Sequence, residues 1–358
     1  MRKNNTYHSI CIIRLSALGD ICHVLPSIRC IQKAYPRAQI TWIIGKLEAQ
    51  MLAGIEGIRF IEFDKKKGRR AFKELKSKLK KQRFDLLLHM QTSARANLIA
   101  WQIKAKIKVG FDWARSREGH YLVCNRHLPA ITKPQHQLED FLDFPRYLKL
   151  DTSELRWDIP IPDANKHYLE QFIPANKKII VVNACSSPSK RVFRNWSPHA
   201  YADVINYLQQ ESQRVVVLCG GLSQFERNTS EKIMTSCNKM PINLVGKTSI
   251  KQLLALLQQA ELLITSDSGP AHMANAVGTP VIALHGATNP AQIGPYLSQE
   301  WVVSVYAEGV KQEYQKSVEQ MPWGTRVHLE NVMEMISSKQ VIDMLKRFYA
   351  NTKQLIDN

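Results

Sequence analysis

The chain has 358 residues, 44% of them hydrophobic, and no long low-complexity segment, which argues for an ordered soluble protein with more than one hydrophobic core. Seven cysteines, at 11, 22, 30, 124, 185, 219 and 237, form no CxxC pair and sit mostly in apolar surroundings, against both a zinc site and a disulfide framework. The formal net charge is +18, so acidic partners are expected, and its placement along the chain decides which kind.

Apolar β-branched runs alternate with helical patterns along the whole chain, the mark of an α/β protein with mainly parallel sheets. In the first half the spacing predicts strands at Ser9–Arg14, Gln39–Ile44, Arg59–Phe63, Phe84–His89 and Ile107–Gly110. Helices are expected at Asp20–Tyr35, Lys46–Ala53, Arg70–Gln82, Ala94–Ile103 and Gln135–Leu150. The apolar run Ile10–Ile13 is too short for a signal peptide or a spanning helix, so a cytoplasmic location is expected. Two prolines within Pro160-Ile161-Pro162 suit an extended connection, which divides the chain into domains at 1–160 and 161–335. The second half restarts with strands at Lys178–Asn183 and Arg214–Cys219, helices from Pro198, from Ser223 and over Ser249–Gln259, then buried strands around Leu262–Ile264 and Val281–Leu284. A last helix, Ser338–Tyr349, carries Val341, Leu345 and Phe348 on one face and is expected to cross back to the first domain.

Five stretches carry chemistry. The first strand ends in Arg14-Leu15-Ser16-Ala17-Leu18-Gly19-Asp20. Asp20 can cap the following helix, or act as a general base on an incoming hydroxyl from a strand's carboxyl edge. Lys65 to Arg83 holds eleven Lys or Arg and one acid, Glu74, a net +10 over an apolar stripe of Phe72, Leu75 and Leu79. Without a recognised motif or interleaved aromatics this charge does not read as a nucleic-acid site. Attraction to an anionic membrane or a phosphorylated lipid, about 1 kcal/mol per basic residue near the surface, explains it better.

Beyond Asn183, small hydroxyls at Ser186 and Ser187 precede Lys190, Arg191 and Arg194, a plausible diphosphate clamp ahead of a helix capped by Ser197. Gly220-Gly221 and Glu226 make a glycine turn and helix start, where the glutamate can accept ribose hydroxyls or simply favour the helix dipole. Ser266-Asp267-Ser268-Gly269-Pro270 then opens a helix with Asp267 or Ser268 as cap and His272 one turn in. Such a helix start offers free N–H donors and partial positive charge to a phosphate. No acidic pair or His/Asp/Glu cluster has metal-ligand spacing, so cations and helix termini would replace a metal.

These stretches occur in the order found in the ADP-heptose:lipopolysaccharide heptosyltransferases, glycosyltransferase family 9, and the chain most resembles the heptosyltransferase I branch. The resemblance rests on RLSALGD at 14–20, GFDWARSRE at 110–118, PQHQLEDF at 134–141, RNW at 194–196, GGLSQFE at 220–226 and SDSGPAHMANAVGTP at 266–280. It implies a GT-B architecture of two Rossmann-like lobes across a cleft, with the acceptor on the first and the nucleotide sugar on the second. It further implies inverting, metal-independent transfer of L-glycero-D-manno-heptose from ADP-heptose to a Kdo hydroxyl of Kdo-lipid A, by an enzyme held at the cytoplasmic face of the inner membrane and needing no cofactor. Asp20 would then be the base. Ser186, Ser187, Lys190, Arg194, Asp267, Ser268, Gly269 and His272 would hold the donor, and Glu226 its ribose. Arg115 and Arg117, with Lys65, Lys66, Lys67, Arg69 and Arg70, would meet the acidic acceptor. The chain departs from the branch where a Thr-Thr pair and a lysine are expected: it has Ser186-Ser187 and Arg194, about three residues further apart.

Overall fold

A computed structural model describes residues 7–186, 192–210 and 213–356. The chain divides after Pro160 into two compact units. The first runs β1 (Ser9–Ile13), α1 (Leu18–Ala34), β2 (Gln39–Gly45), α2 (Lys46–Leu52), β3 (Ile58–Phe63), α3 (Arg69–Leu79), β4 (Phe84–His89), α4 (Ala94–Gln102), β5 (Ala105–Gly110), β6 (Arg126–His127) and α5 (Gln137–Tyr147). Its described strands form one six-stranded sheet of order β3-β2-β1-β4-β5-β6, parallel throughout. The chain winds outward from β1 to β3, then returns to β4 on the other side of β1. That reversal puts the loop after β1 at the switch point of the sheet, where open α/β sheets bind ligands.

The second unit runs α6 (Asp163–Glu170), β7 (Lys178–Asn183), α7 (Pro198–Leu208), β8 (Arg214–Cys219), α8 (Gln224–Ser236), β9 (Ile242–Asn243), α9 (Ile250–Gln259), β10 (Ala260–Ser266), α10 (Gly269–Ala276), β11 (Val281–His285), α11 (Pro290–Ile293), β12 (Val302–Ser304), α12 (Tyr306–Tyr314) and α13 (Ser338–Ile356). Its sheet has the order β12-β11-β10-β7-β8-β9, again six-stranded and parallel. β7, β10 and β11 are buried along nearly their whole length because helices cover both faces, as their unbroken apolar runs require. The short edge strands β6, β9 and β12 and the helices α6, α11 and α12 carry no such run, and the sequence pattern misses them. Val341, Leu345 and Phe348 of α13 belong to the second unit's own core, and the helix packs on α7, β11 and β12.

One contact shows how the first unit tolerates a proline inside a helix. Pro26 lies within α1 and has no N–H to give to the carbonyl of Cys22. The buried indole of Trp157 supplies the missing donor, Nε1 to the Cys22 oxygen at 2.7 Å. Arg29 adds bonds from its guanidinium to the carbonyls of Trp157 and Asp158, so the connecting segment is tied to α1. Trp157→Phe keeps most of the packing and orphans the carbonyl, and should destabilise the first unit by about 1–3 kcal/mol in urea unfolding. Adding Pro26→Ala returns an N–H to the helix and should recover that loss; no recovery would place the effect elsewhere.

Candidate functional site

In the first unit, the loop leaving β1 is built around Asp20. Its Oδ2 accepts from the Ala17 N–H at 2.8 Å and pairs with Arg14 Nη2 at 2.8 Å. The cap and base readings of Asp20 are therefore compatible, since one oxygen anchors the carboxylate at the third position of α1. Arg14, quoted in the sequence motif without a role, fixes the arrangement: Nη1 donates to the Met90 carbonyl at 2.8 Å, and its guanidinium lies over the Phe141 ring.

Beside this loop is a cavity of about 480 Å³ lined in part by Ser16, Gly45, Lys46, Glu48, Lys65, Lys66 and Arg95. Gly45 cannot be replaced without movement, because a Cβ there would lie 2.5 Å from the Leu15 carbonyl oxygen and would also collide with Glu48 Oε2. Burial pushes the Glu48 carboxyl up, and the charge of Asp20 adds to this against the pull of Lys65. Lys46, Glu48 and Arg95 escape the sequence reading although each opens a helix that follows a strand's carboxyl end.

The predicted acceptor residues separate. Lys65 and Lys66 reach the cavity, whereas Lys67 and Arg70 turn to Glu74, at 2.9 and 3.0 Å. Arg69 is exposed at the start of α3. Arg115, expected to meet an acidic acceptor, is only 11% exposed and is enclosed by carboxylates: Asp112, Asp140 at 2.9 Å and Asp143 at 2.7 Å. Its charge is compensated inside the protein, and it ties the loop after β5 to α5. Arg117 is exposed and donates to the carbonyls of Ala114 and Ser116.

In the second unit the carboxyl ends of β7 and β10 bring together residues distant in sequence. Ser186 donates through N and Oγ to Asn195 Oδ1, at 2.8 and 3.0 Å. Arg194 Nη1 pairs with Asp267 Oδ2 at 2.8 Å, and the Thr288 hydroxyl donates to the same oxygen at 3.0 Å. His285 reaches Thr288 in turn, at 3.1 Å. Burial pushes the Asp267 carboxyl up, but His285, Arg194 and His272 outweigh it and hold the group below the ordinary aspartate value. Burial holds His285 itself below the usual histidine range. Asp267 is thus the anchor for Arg194, and Thr288 and His285 are members of the cluster that the sequence reading missed.

Ser268 occupies the cap position of α10, yet its side chain does not cap; it bonds Thr265 Oγ1 at 2.8 Å and lies 3.3 Å from Asn183 Nδ2. Asp267 does not cap either, and Ser197 makes no side-chain cap for α7. The start of α10 at Gly269 therefore has no side-chain cap, and the buried His272 lies in its first turn. Among the described residues, the buried Arg194 Nε and Asn195 Nδ2 have no hydrogen-bond partner. Unpaired buried donors on a cation and an amide, beside an uncapped helix start, suit an anion.

Ser187, Lys190 and Arg191 lie outside the described residues. Glu226 is drawn into its own turn: Oε1 accepts from the Gly221 N–H at 2.7 Å and Oε2 from the Ser223 hydroxyl at 2.6 Å, a capping box. The N–H groups of Leu244, Val245 and Gly246 go to Leu218, Asn243 and Gly220.

The sequence profile of glycosyltransferase family 9 (heptosyltransferase) matches residues 72–322. The lipopolysaccharide core heptosyltransferase OpsX of Haemophilus influenzae is 39% identical over 339 residues, covering 95% of this chain and 96% of that one. Lipopolysaccharide heptosyltransferase 1 of Escherichia coli is 22% identical over 308 residues, 82% of this chain and 92% of that one. Among solved structures, E. coli heptosyltransferase WaaC with ADP superposes with a TM-score of 0.72 at 20% identity, covering 95% of this chain and 99% of that one, so the α/β fold is of the GT-B type. With the profile spanning most of both units and a relative of this identity matched over nearly its full length, the chain belongs to glycosyltransferase family 9, the heptosyltransferase family, and is a glycosyltransferase.

Proposed function

We propose that this protein transfers L-glycero-D-manno-heptose from ADP-heptose to a Kdo hydroxyl of Kdo-lipid A, in assembly of the lipopolysaccharide core. The observation that carries the donor half is the pair of unpartnered buried donors, Arg194 Nε and Asn195 Nδ2, beside the uncapped start of α10. A diphosphate satisfies both and meets the Arg194 charge that Asp267 holds in place. Ser186, Ser268, Gly269 and His272 surround that position, Ser187 and Lys190 are read as further donor-binding groups, and Glu226 shapes the glycine turn taken to face the ribose.

On the acceptor side Asp20 is the general base. The acceptor hydroxyl loses its proton to the Asp20 carboxylate, and its oxygen forms a bond to C1 of the heptose as the bond from C1 to the phosphate oxygen breaks. Attack opposite the leaving group inverts the anomeric centre. The charge left on ADP falls on Arg194 and the helix start, the role a divalent ion would otherwise fill, so the chemistry is read as metal-independent. Lys65, Lys66 and Arg117, with Lys46 and Arg95, receive the carboxylate and phosphates of the acceptor; Arg69, Arg70 and Lys67 add to the surrounding field. The enzyme would work at the cytoplasmic face of the inner membrane as a peripheral protein. No helix among the described residues is long and apolar enough to cross a bilayer.

Asp20→Asn keeps a partner for the Ala17 N–H and removes the base. It should lower kcat by a factor of about 10²–10⁴ with donor affinity unchanged, read by titration calorimetry beside turnover; lost donor affinity with turnover retained would make Asp20 structural. Arg194→Gln should lower turnover by about 10²–10³ and weaken ADP binding. An effect on neither would move the diphosphate away from the Asp267 cluster. The decisive assay is ADP release from ADP-heptose in the presence of a chelator, with and without deacylated Kdo-lipid A. Acceptor-dependent release is expected, and silence followed by turnover of UDP-sugars would assign another donor.

A further inference from the structure

We infer that the layer of the first unit formed by α3, α4 and the 3-10 turn His120–Val123 is a membrane-insertion face, in which exposed apolar side chains enter an anionic bilayer while the surrounding cations hold its headgroups. The inference deepens the reading of the enzyme as a peripheral membrane protein by naming the surface and its apolar component.

α3 and α4 lie on the same face of the sheet, because Ala71, Leu75 and Leu79 of α3 and Ala96, Ile99 and Ala100 of α4 share one core cluster. Val123 packs against that cluster as well, which brings the 3-10 turn into the same layer, and α4 contacts the turn directly. With their inward sides satisfied, these segments carry outward the largest exposed apolar groups of the unit. Leu98 is 55% and Trp101 75% exposed, three residues apart on α4, and Leu122 on the turn is 84% exposed. Trp113, 75% exposed, stands edge-on against Tyr121 of the turn with ring centroids 5.3 Å apart. One exposed leucine needs no explanation, but two tryptophans and two leucines on segments packed against one another do.

The charge around them selects the partner. Lys65 to Arg83 contributes a net +10 to the same layer, α4 contains Arg95 and no acid, and Lys104 follows it, exposed. A protein partner would need a matching acidic surface with apolar pockets. An anionic bilayer supplies both components at once: phosphates for the lysines and arginines, and an interfacial zone in which indole rings and leucines are favoured. Charge alone would bind the bilayer surface and be lost in salt. Apolar insertion adds a component that salt does not screen.

The test uses the whole chain and vesicles of equimolar phosphatidylethanolamine and phosphatidylglycerol, without lipid acceptor. A Leu98→Ser/Trp101→Ser/Leu122→Ser variant leaves every charge in place and touches no residue assigned to the donor or acceptor. Its vesicle partition coefficient should fall about tenfold or more. In about 1 M salt, where the screening length is about 3 Å, the wild-type protein should keep residual binding and the variant should keep none. Circular dichroism and ADP release with the soluble deacylated acceptor, run on the same samples, separate this result from misfolding and from failure of the transferase reading. Equal partition of the folded variant and wild type at both salt concentrations overturns the inference, as does a wild-type protein that does not partition. A wild-type dimer that the variant loses, with vesicle partition unchanged, would assign the face to a second copy and overturn it equally.

Discussion

Each unit of this protein is governed by one constraint: a parallel sheet must be covered on both faces by crossover helices, so every strand runs the same way and every strand-to-helix turn opens at the same edge. In the first unit Asp20 follows β1 and Lys46 follows β2; in the second Ser186 follows β7, Glu226 follows β8 and Asp267 follows β10. Within each unit these residues share an edge because its strands share a direction. The reversal of winding at β1 and at β7 then separates neighbouring crossovers and leaves room at that edge for a ligand.

Within that frame, charge is placed by pairing. Arg115 is surrounded by three carboxylates and is structural, whereas Arg194 is held by a single buried aspartate and keeps an unpartnered donor. Both are arginines in basic stretches of sequence, and only the count of carboxylates around each distinguishes a tie between loop and helix from a group able to meet an anion. Asp267 shows the converse. Its depressed carboxyl comes from His285, Arg194 and His272 gathered around it, and its effect is to orient Arg194 beside the uncapped helix start.

Much of the fold was legible from the chain. Apolar β-branched runs such as Leu262–Ile264 and Val281–Leu284 mark central strands because a strand covered on both faces has no polar alternation to confuse with a helix. The edge strands Arg126–His127, Ile242–Asn243 and Val302–Ser304 leave no such trace, since two or three residues hydrogen-bonded on one side need no apolar run. The final helix was readable as amphipathic, but periodicity states only that a face is buried, not against what, and α13 lies on its own unit. Caps were overread at Ser197, Asp267 and Ser268, where the residue type suits a cap and the hydroxyl or carboxylate has a different partner.

The sequence by itself determined the two-unit α/β organisation, the family and the strand-to-helix turns that carry the chemistry, because hydrophobic period, turn residues and motif order are local properties of the chain. Tertiary structure alone decided which cations are compensated, that His285 and Thr288 join Asp267, that Trp157 completes the proline-broken helix, and that the basic α3 shares a layer with exposed tryptophans. Each of these depends on a contact between residues that sequence distance does not relate. The energy of a charge or an orphaned carbonyl is set by what lies within a few ångströms of it, and only the folded chain specifies that.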